Sequence, residues 1–109
     1  MFKIATTATY TTPVTVELPG SKTKQIFDVE LRRLSQAEID DVSERIRTAQ
    51  ITDPGLVKEV VVGWKGVSDE YGEMEFTASN LDALLTIYPV ARCIVEAFFS
   101  SLAGAKQKN

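Results

Sequence analysis

The chain has 109 residues and a formal net charge of −3, from 15 acidic and 12 basic side chains. This length corresponds to one domain of ordinary size, and the small negative charge gives no electrostatic reason to expect nucleic acid or a membrane surface as a partner. The sequence has no histidine, the side chain most often used as a general base at neutral pH and a common metal ligand. We therefore expect no catalytic residues, no metal and no other cofactor.

The cellular setting follows from the cysteine count and from the apolar segments. Cys93 is the only cysteine, so no disulfide forms within the chain, and a reducing compartment is expected. The first five residues lack the apolar core of a signal peptide, and no apolar stretch approaches the roughly 20 residues needed to span a bilayer. These features predict a soluble, cytoplasmic protein.

The N-terminal part predicts an extended arm followed by a β-hairpin. Residues 1–12 are rich in threonine, lack an apolar period, and are predicted to be the arm. Two later segments alternate apolar and polar side chains with the period of two that is typical of half-buried strands. Their apolar positions are Val14, Val16 and Leu18, and then Phe27, Val29 and Leu31. Segment 19–24 between them is polar and contains a Pro-Gly turn signal, so the simplest arrangement is an antiparallel hairpin with one face covered by helices.

Three helices are predicted from capping residues and apolar spacing. Ser35 and Glu38 form a capping box before a helix over about 36–50. Asp53 and Pro54 resemble a second helix start, and its apolar stripe is Leu56, Val57, Val60, Val61 and Trp64. The β-branched run 60–62 leaves a short strand as the alternative. Thr77 is a third N-cap, for a helix with Leu81, Leu84, Leu85 and Tyr88 as its stripe.

The remaining segments complete a single α+β domain over residues 1–109. Segment 65–75 is predicted to be a loop, with a short extended piece at 74–76. Pro89 disfavours helical geometry in the residue before it, and a last helix is expected over about 90–103, followed by a frayed tail at 104–109. The predicted fold is therefore an N-terminal β-hairpin packed with about four α-helices. Trp64 is expected to be structural, buried against the hairpin or the last helix.

Candidate chemical sites have simpler structural explanations. The carboxylates of segment 69–75 do not match the ligand spacing of a calcium loop, which favours a solvated acidic loop. Asp40, Asp41 and Glu44 share the polar side of an amphipathic helix with arginines, which favours a solvated helix face. Cys93 lies in an apolar helix without a histidine to activate it, which favours a packing role.

The last helix is apolar over more of its circumference than one packed stripe needs. Between residues 90 and 103 only Arg92, Glu96 and two serines are polar. Phe98 and Phe99 are adjacent, about 100° apart on the helical wheel, so they cannot point the same way. Such a helix is either central in its own domain or presents apolar surface to a partner. On the second alternative, the partner-binding residues are Ile94, Val95, Phe98, Phe99 and Leu102.

The order of these elements resembles that of the tail assembly chaperones of long-tailed bacteriophages. The similar portions are the hairpin and capped helix, from Pro13-Val14-Thr15-Val16 through Phe27-Asp28-Val29-Glu30-Leu31-Arg32-Arg33-Leu34-Ser35-Gln36-Ala37-Glu38-Ile39. They continue with Gly63-Trp64-Lys65-Gly66-Val67-Ser68-Asp69 and with Phe76-Thr77-Ala78-Ser79-Asn80-Leu81, which a proline follows eight residues later. Together they span most of residues 13 to 99.

This resemblance implies a non-enzymatic chaperone encoded by a phage or prophage. It would bind the tape measure protein, keep it soluble, and promote polymerisation of tail tube subunits around it. A longer, frameshifted form would recruit the tube subunits, and the chaperone itself would be able to form a homo-oligomer. It would act in the host bacterial cytoplasm and be absent from the mature virion. The alternative is a structural adaptor, such as a head-tail connector or tail completion protein, that remains in the virion.

Overall fold

A computed structural model of the chain describes residues 1–4 and 7–103. Within this part the strands are β1 (Thr9–Val16), β2 (Gln25–Arg32), β3 (Val61–Lys65), β4 (Ser68–Asp69) and β5 (Gly72–Glu73). The helices are α1 (Gln36–Arg47), α2 (Asp53–Val60), α3 (Ala78–Leu85) and α4 (Val90–Ala103). The predicted α+β fold, with an N-terminal hairpin and four helices, is confirmed.

The main sheet is antiparallel, with the strand order β1-β2-β3. Val14 is opposite Phe27, and Val29 is opposite Trp64, so these side chains share one face of the sheet. Val14 and Val29 are completely buried. The other face carries mainly threonines and charged residues, because side chains alternate between the two faces of a strand. One face therefore forms the floor of the core and the other meets solvent.

Strand β1 begins earlier than the sequence predicted. Residues 9–12 were expected to belong to an extended arm, but they continue the ladder until Thr9 lies opposite Arg32. Threonine and tyrosine suit the pleated, half-buried surface of a sheet even without an apolar period. Residues 5 and 6 of the predicted arm lie outside the described part of the chain. The tail predicted at 104–109 also lies outside it.

Pro13 occupies a position in β1 where the missing amide costs the sheet nothing. The backbone nitrogen of Arg33 donates to the oxygen of Ala8 at 2.8 Å, which makes this a hydrogen-bonded pair. Because such pairs alternate along an antiparallel ladder, Pro13 and Asp28 form a non-hydrogen-bonded pair. The nitrogen of Pro13 therefore faces the free edge of the sheet, the position in which proline is tolerated within a strand.

Helix α1 has the predicted start and an earlier end. The Glu38 nitrogen donates to Ser35 Oγ at 3.2 Å, and the Ser35 nitrogen donates to Glu38 Oε1 at 2.9 Å, which confirms the capping box. The helix ends at Arg47 instead of about residue 50, because Ala49 adopts a left-handed conformation with φ of 58°. Gln50 then donates to the Arg45 oxygen at 2.7 Å, in the pattern of a Schellman motif.

The predicted second helix is in fact a helix followed by a strand. Helix α2 ends at Val60, and Val61 begins β3, which pairs with β2. The expectation that Val61 and Trp64 continue the helical stripe is therefore wrong, and the β-branched run 60–62 marks the change to strand geometry. The N-cap is Thr52, whose Oγ1 accepts from the Gly55 nitrogen at 3.1 Å, and not Asp53.

Trp64 has a structural role, but its partners differ from those expected. The side chain is half-buried on the inner face of β3. Its Nε1 donates to the Met74 oxygen at 2.8 Å, and its ring meets that of Phe76 edge to face at 5.1 Å. Trp64 thus attaches the segment after β5 to the sheet. The predicted loop 65–75 contains the short β4-β5 hairpin.

Helix α4 follows the predicted bounds and packs against β1 and α2. The core lies between the sheet and the helices, and its most deeply buried large side chains are Phe98, Leu31, Leu56, Ile94, Val14, Val29, Val57 and Val60. These residues come from β1, β2, α2 and α4. The position of α4 is therefore set by the sheet and by α2 together.

Substitution of Ser35 by alanine tests the capping box. Ser35→Ala removes the acceptor of the Glu38 amide, and we expect it to lower the free energy of unfolding by about 0.5–2 kcal/mol. Chemical denaturation measures this change. Ser43→Ala, in the middle of α1 and exposed, is the matched control and should have almost no effect. Equal effects of the two substitutions would contradict the capping role.

Candidate functional site

Helix α4 has one buried face and one exposed face. Val90, Ile94 and Phe98 recur every four residues and are each at most 3% exposed. This spacing places them on one side of the helix, which contacts β1 and α2. Arg92, Glu96 and Ser100 lie among the exposed positions. Helix α4 is therefore not enclosed on all sides, and part of its apolar surface remains accessible.

The accessible apolar surface consists of Val95, Phe99 and Leu102, which we call the α4 patch. Phe99 is 36% exposed and Leu102 is 37% exposed, while Val95 is half-buried. Their spacing of four and three residues aligns them along one side of the helix. The Phe98 ring packs inward and meets the Phe99 ring at 5.1 Å between centroids. The two adjacent phenylalanines therefore point to different environments, as the sequence predicted.

Two residues predicted to bind a partner are not accessible. Ile94 and Phe98 are each 1% exposed, and they belong to the core. The expectation that they form part of a contact surface is therefore wrong for this structure, because the sheet and α2 already cover them. Of the five predicted residues, the helix brings Val95, Phe99 and Leu102 together on the outside.

The C-terminal end of α4 is attached to the first strand beside the patch. Ser101 Oγ donates to the Phe98 oxygen at 2.6 Å and lies 2.7 Å from the hydroxyl of Tyr10. Since the serine proton is used in the first bond, the tyrosine hydroxyl is the donor in the second. On the exposed side, Arg92 Nε and Glu96 Oε2 lie 3.8 Å apart. The α4 patch is therefore held on a fixed helix with a charged pair at one end.

A comparison with protein-family models decides the family. The model described as phage tail assembly chaperone matches residues 1–109, the whole chain. The chain belongs to this family. No curated protein and no solved structure matches it significantly. The family is one of assembly chaperones, which agrees with a surface made of apolar side chains on a helix.

The acidic segment of this chaperone forms the β4-β5 hairpin. Asp69 Oδ1 accepts from the Tyr71 nitrogen at 2.8 Å, so this carboxylate stabilises the turn. Glu70, Glu73 and Glu75 are exposed. Across residues 1–4 and 7–103, no group of three carboxylate, cysteine or histidine side chains is placed to hold a metal ion. The hairpin thus contributes negative charge at the surface.

The carboxylates of α1 pair with neighbours on the same helix. Asp41 Oδ2 lies 3.0 Å from Arg45 Nε, and Glu44 Oε2 lies 2.6 Å from Arg47 Nη2. Pairs of this kind on an exposed helix face stabilise the helix modestly.

For Cys93, burial raises the pKa of the thiol, and the Glu96 carboxylate raises it further. A higher thiol pKa makes Cys93 a weaker nucleophile at neutral pH.

Within the described residues, no single helix has the length and apolarity needed to cross a bilayer. Helices α3 and α4 have this length and apolarity only when they are taken together, and they are bent by 104° at the break between them.

A second apolar surface, which the sequence did not predict, lies at the turn end of the β1-β2 hairpin. We call it the hairpin groove, and among the residues that line it are Val16, Ile26, Phe27, Val67, Leu84 and Ile87. Ile26 is 66% exposed and Ile87 is 45% exposed. Ile26 is an apolar residue at an outward position of β2, and Ile87 comes just before the break at Pro89. In the sequence, these two apolar residues at positions where a polar residue is expected were the signals that could have indicated this surface.

An ion pair joins α1 to α2. Arg45 donates to both carboxylate oxygens of Glu59, at 2.9 and 3.0 Å. These hydrogen bonds, followed by the positive charge of Arg45, lower the pKa of Glu59. They also raise the pKa of Arg45. The bidentate geometry makes this pair more specific than a single surface contact.

Substitution of Glu59 by glutamine tests this ion pair through the pH dependence of the stability. Because the native pKa of Glu59 lies below its unfolded value, the pair stabilises the fold fully above the unfolded pKa. That stabilisation is lost as the pH falls through the native pKa. We expect Glu59→Gln to be less stable than the wild type at pH 7, and the difference to shrink in the acidic range of carboxylate titration, about pH 4 and below. Denaturation at several pH values measures this, with Glu70→Gln as the control. A difference that does not change with pH would contradict the pairing.

Proposed function

We propose that this chaperone binds the tape measure protein of a long-tailed phage through the α4 patch. Binding keeps the client soluble while tail tube subunits polymerise around it. The observation that carries the proposal is the α4 patch itself, three aligned apolar side chains on a fixed helix, in a chain that matches the tail assembly chaperone family throughout. An apolar stripe on a helix is suited to a client helix that has an apolar stripe of its own.

The size of the α4 patch implies weak binding by each copy. Complete burial of one Leu or Phe side chain contributes roughly 1.5–3 kcal/mol, and about one third of Phe99 and of Leu102 remains to be buried. The patch therefore supplies on the order of 2 kcal/mol, less than the roughly 4 kcal/mol of a millimolar complex. Tight coating of a client then requires many copies side by side. Weak individual contacts also allow the tube subunits to displace the chaperone.

The same proposal covers the place of action and the other partners. The chaperone acts in the host bacterial cytoplasm and leaves before the virion is complete. A longer, frameshifted form of the chain brings tail tube subunits to the coated client. In support, the α4 patch is too small for permanent attachment.

Substitution of Phe99 by glutamate tests the contact with the client. Phe99→Glu places a charge in the α4 patch and should sharply reduce the amount of soluble tape measure protein recovered when the two are co-expressed. Because Phe99 is partly exposed, we expect the chaperone to lose only about 1 kcal/mol of stability. Ile46→Glu on α1 is the matched control, since Ile46 is 42% exposed, and it should leave the client soluble.

Two outcomes of this experiment would overturn the proposed contact. One is full solubilisation of the client by Phe99→Glu, and the other is an equal loss with Ile46→Glu. Phe98→Glu shows how an unfolded chaperone behaves in the assay, because it buries an unpaired charge in the core. The melting temperature of each variant separates loss of contact from loss of fold.

Purified virions provide a test of the proposed departure. The tape measure and tube proteins should be detected by mass spectrometry of washed particles, and the chaperone should be absent. An infected-cell lysate is the control that shows the chaperone is detectable by the same method. A constant number of chaperone copies per particle would contradict the proposal and indicate a structural adaptor.

A further inference from the structure

Helix α1 contributes a single side chain to the core. Of its 12 residues, all of which the structure describes, Val42 alone belongs to the core, at 4% exposure. Ile39 is half-buried, and Ile46 is 42% exposed. By contrast, α2 and α4 each bury three apolar side chains to 3% exposure or less. Because burial of apolar surface is the main favourable term in packing, α1 is held less firmly than α2 or α4.

An open cleft lies between α1 and the body of the domain. It has a volume of about 400 Å³, and its lining includes Ala37 and Asp41 of α1, Arg32 of β2 and Glu59 of α2. Protein interiors are close-packed and contain few voids larger than one water molecule. A cleft of this size has room for several water molecules. Much of the underside of α1 therefore faces solvent and not packed side chains.

Charged side chains also attach α1 to its neighbours. Arg45 donates to both carboxylate oxygens of Glu59 in α2, and the side chains of this pair are 28% and 41% exposed. Arg32 Nη1, from β2, lies 3.7 Å from Glu38 Oε2 in α1, and these two side chains are nearly half exposed. Ion pairs with exposed partners contribute little to stability and are weakened by salt. The attachment of α1 thus combines one buried valine with ion pairs that are open to solvent.

The chain is anchored to the core on both sides of α1. Leu34 before the helix and Ile51 after it are half-buried and pack against the core. Between these anchors α1 has 12 residues, and an isolated helix of this length is only marginally stable in water. If α1 separates from the body of the domain, it therefore loses its helical hydrogen bonds while the flanking anchors stay in place.

We propose that residues 35–50, which we call the α1 strap, open as a unit while the sheet and the other helices remain folded. Burial of Val42 and the ion pair between Arg45 and Glu59 hold the strap closed. The open form exposes Val42 and the side of Val60 that lines the cleft, and both residues are buried in the closed form. This inference concerns a conformational change of the chaperone alone and goes beyond the proposed function.

Amide hydrogen exchange followed by NMR tests the proposal, because it measures opening at individual amides. In the wild type, the amides of residues 41–45, in the middle of α1, should exchange at least about tenfold faster than those of residues 94–98 in α4, after correction for intrinsic rates. Equal protection of the two helices would overturn the proposal, because it would mean that they open together.

The substitution Ile94→Val tests whether the α1 strap opens alone. It shortens a core side chain of α4 that stays buried when the strap opens, so it destabilises the closed and open forms equally. Exchange at 94–98 should rise about fivefold, and exchange at 41–45 should not change. An equal rise in both helices would show that the domain is one cooperative unit and would overturn the proposal.

The substitution Glu59→Gln tests the ion pair that holds the strap. Exchange at 41–45 should rise about threefold, as expected for loss of a partly exposed ion pair. Asp82→Asn is the matched control, since it removes an ion pair of 2.9 Å with Lys58 that joins α2 to α3 and not to α1. It should leave exchange at 41–45 unchanged. No rise with Glu59→Gln, or an equal rise with Asp82→Asn, would overturn the proposal.

Circular dichroism establishes that each variant is folded. Because no client is present, these results are independent of whether the tape measure protein binds the α4 patch.

Discussion

The packing of α4 against β1 and α2 is the constraint on which the other features depend. Phe98 and Ile94 are the α4 residues that reach furthest into the core. Once they are buried, the geometry of the helix turns Phe99 and Leu102 outward. The same packing covers the inner face of a sheet that would be marginal by itself. The stability of the domain and the orientation of its exposed surface therefore come from one set of contacts.

Elements defined by local chemistry were predictable from the sequence. The Ser35 capping box and the Thr77 N-cap depend on side chains within three residues, and both appear as predicted. The region around Val61 was harder, because the apolar positions of a short run fit a helix and a strand equally well. Pairing of Val61 with Leu31 of β2 decides the matter. That information is not local, so periodicity alone could not supply it.

The candidate surface was predictable only in part for a related reason. Composition shows that α4 has more apolar surface than one neighbour covers, but it does not show which side faces the core. Phe98 and Phe99 are identical in type and adjacent in sequence, and only the position of β1 and α2 distinguishes them. The hairpin groove was harder to predict, because its lining comes from segments that are distant in the sequence: two strands, the segment after β3, and the α3-α4 corner.

Pro13 has a consequence for how copies of this chain behave when they are close together. A free sheet edge with a full row of amides can recruit strands from neighbouring chains and grow into a fibre that does not come apart. The outward position of Pro13 removes one donor from the middle of the β1 edge and interrupts that row. Chains brought to high local concentration are thereby directed away from backbone pairing and toward contacts between side chains. Contacts between side chains, unlike a continuous backbone ladder, do not template the addition of further strands.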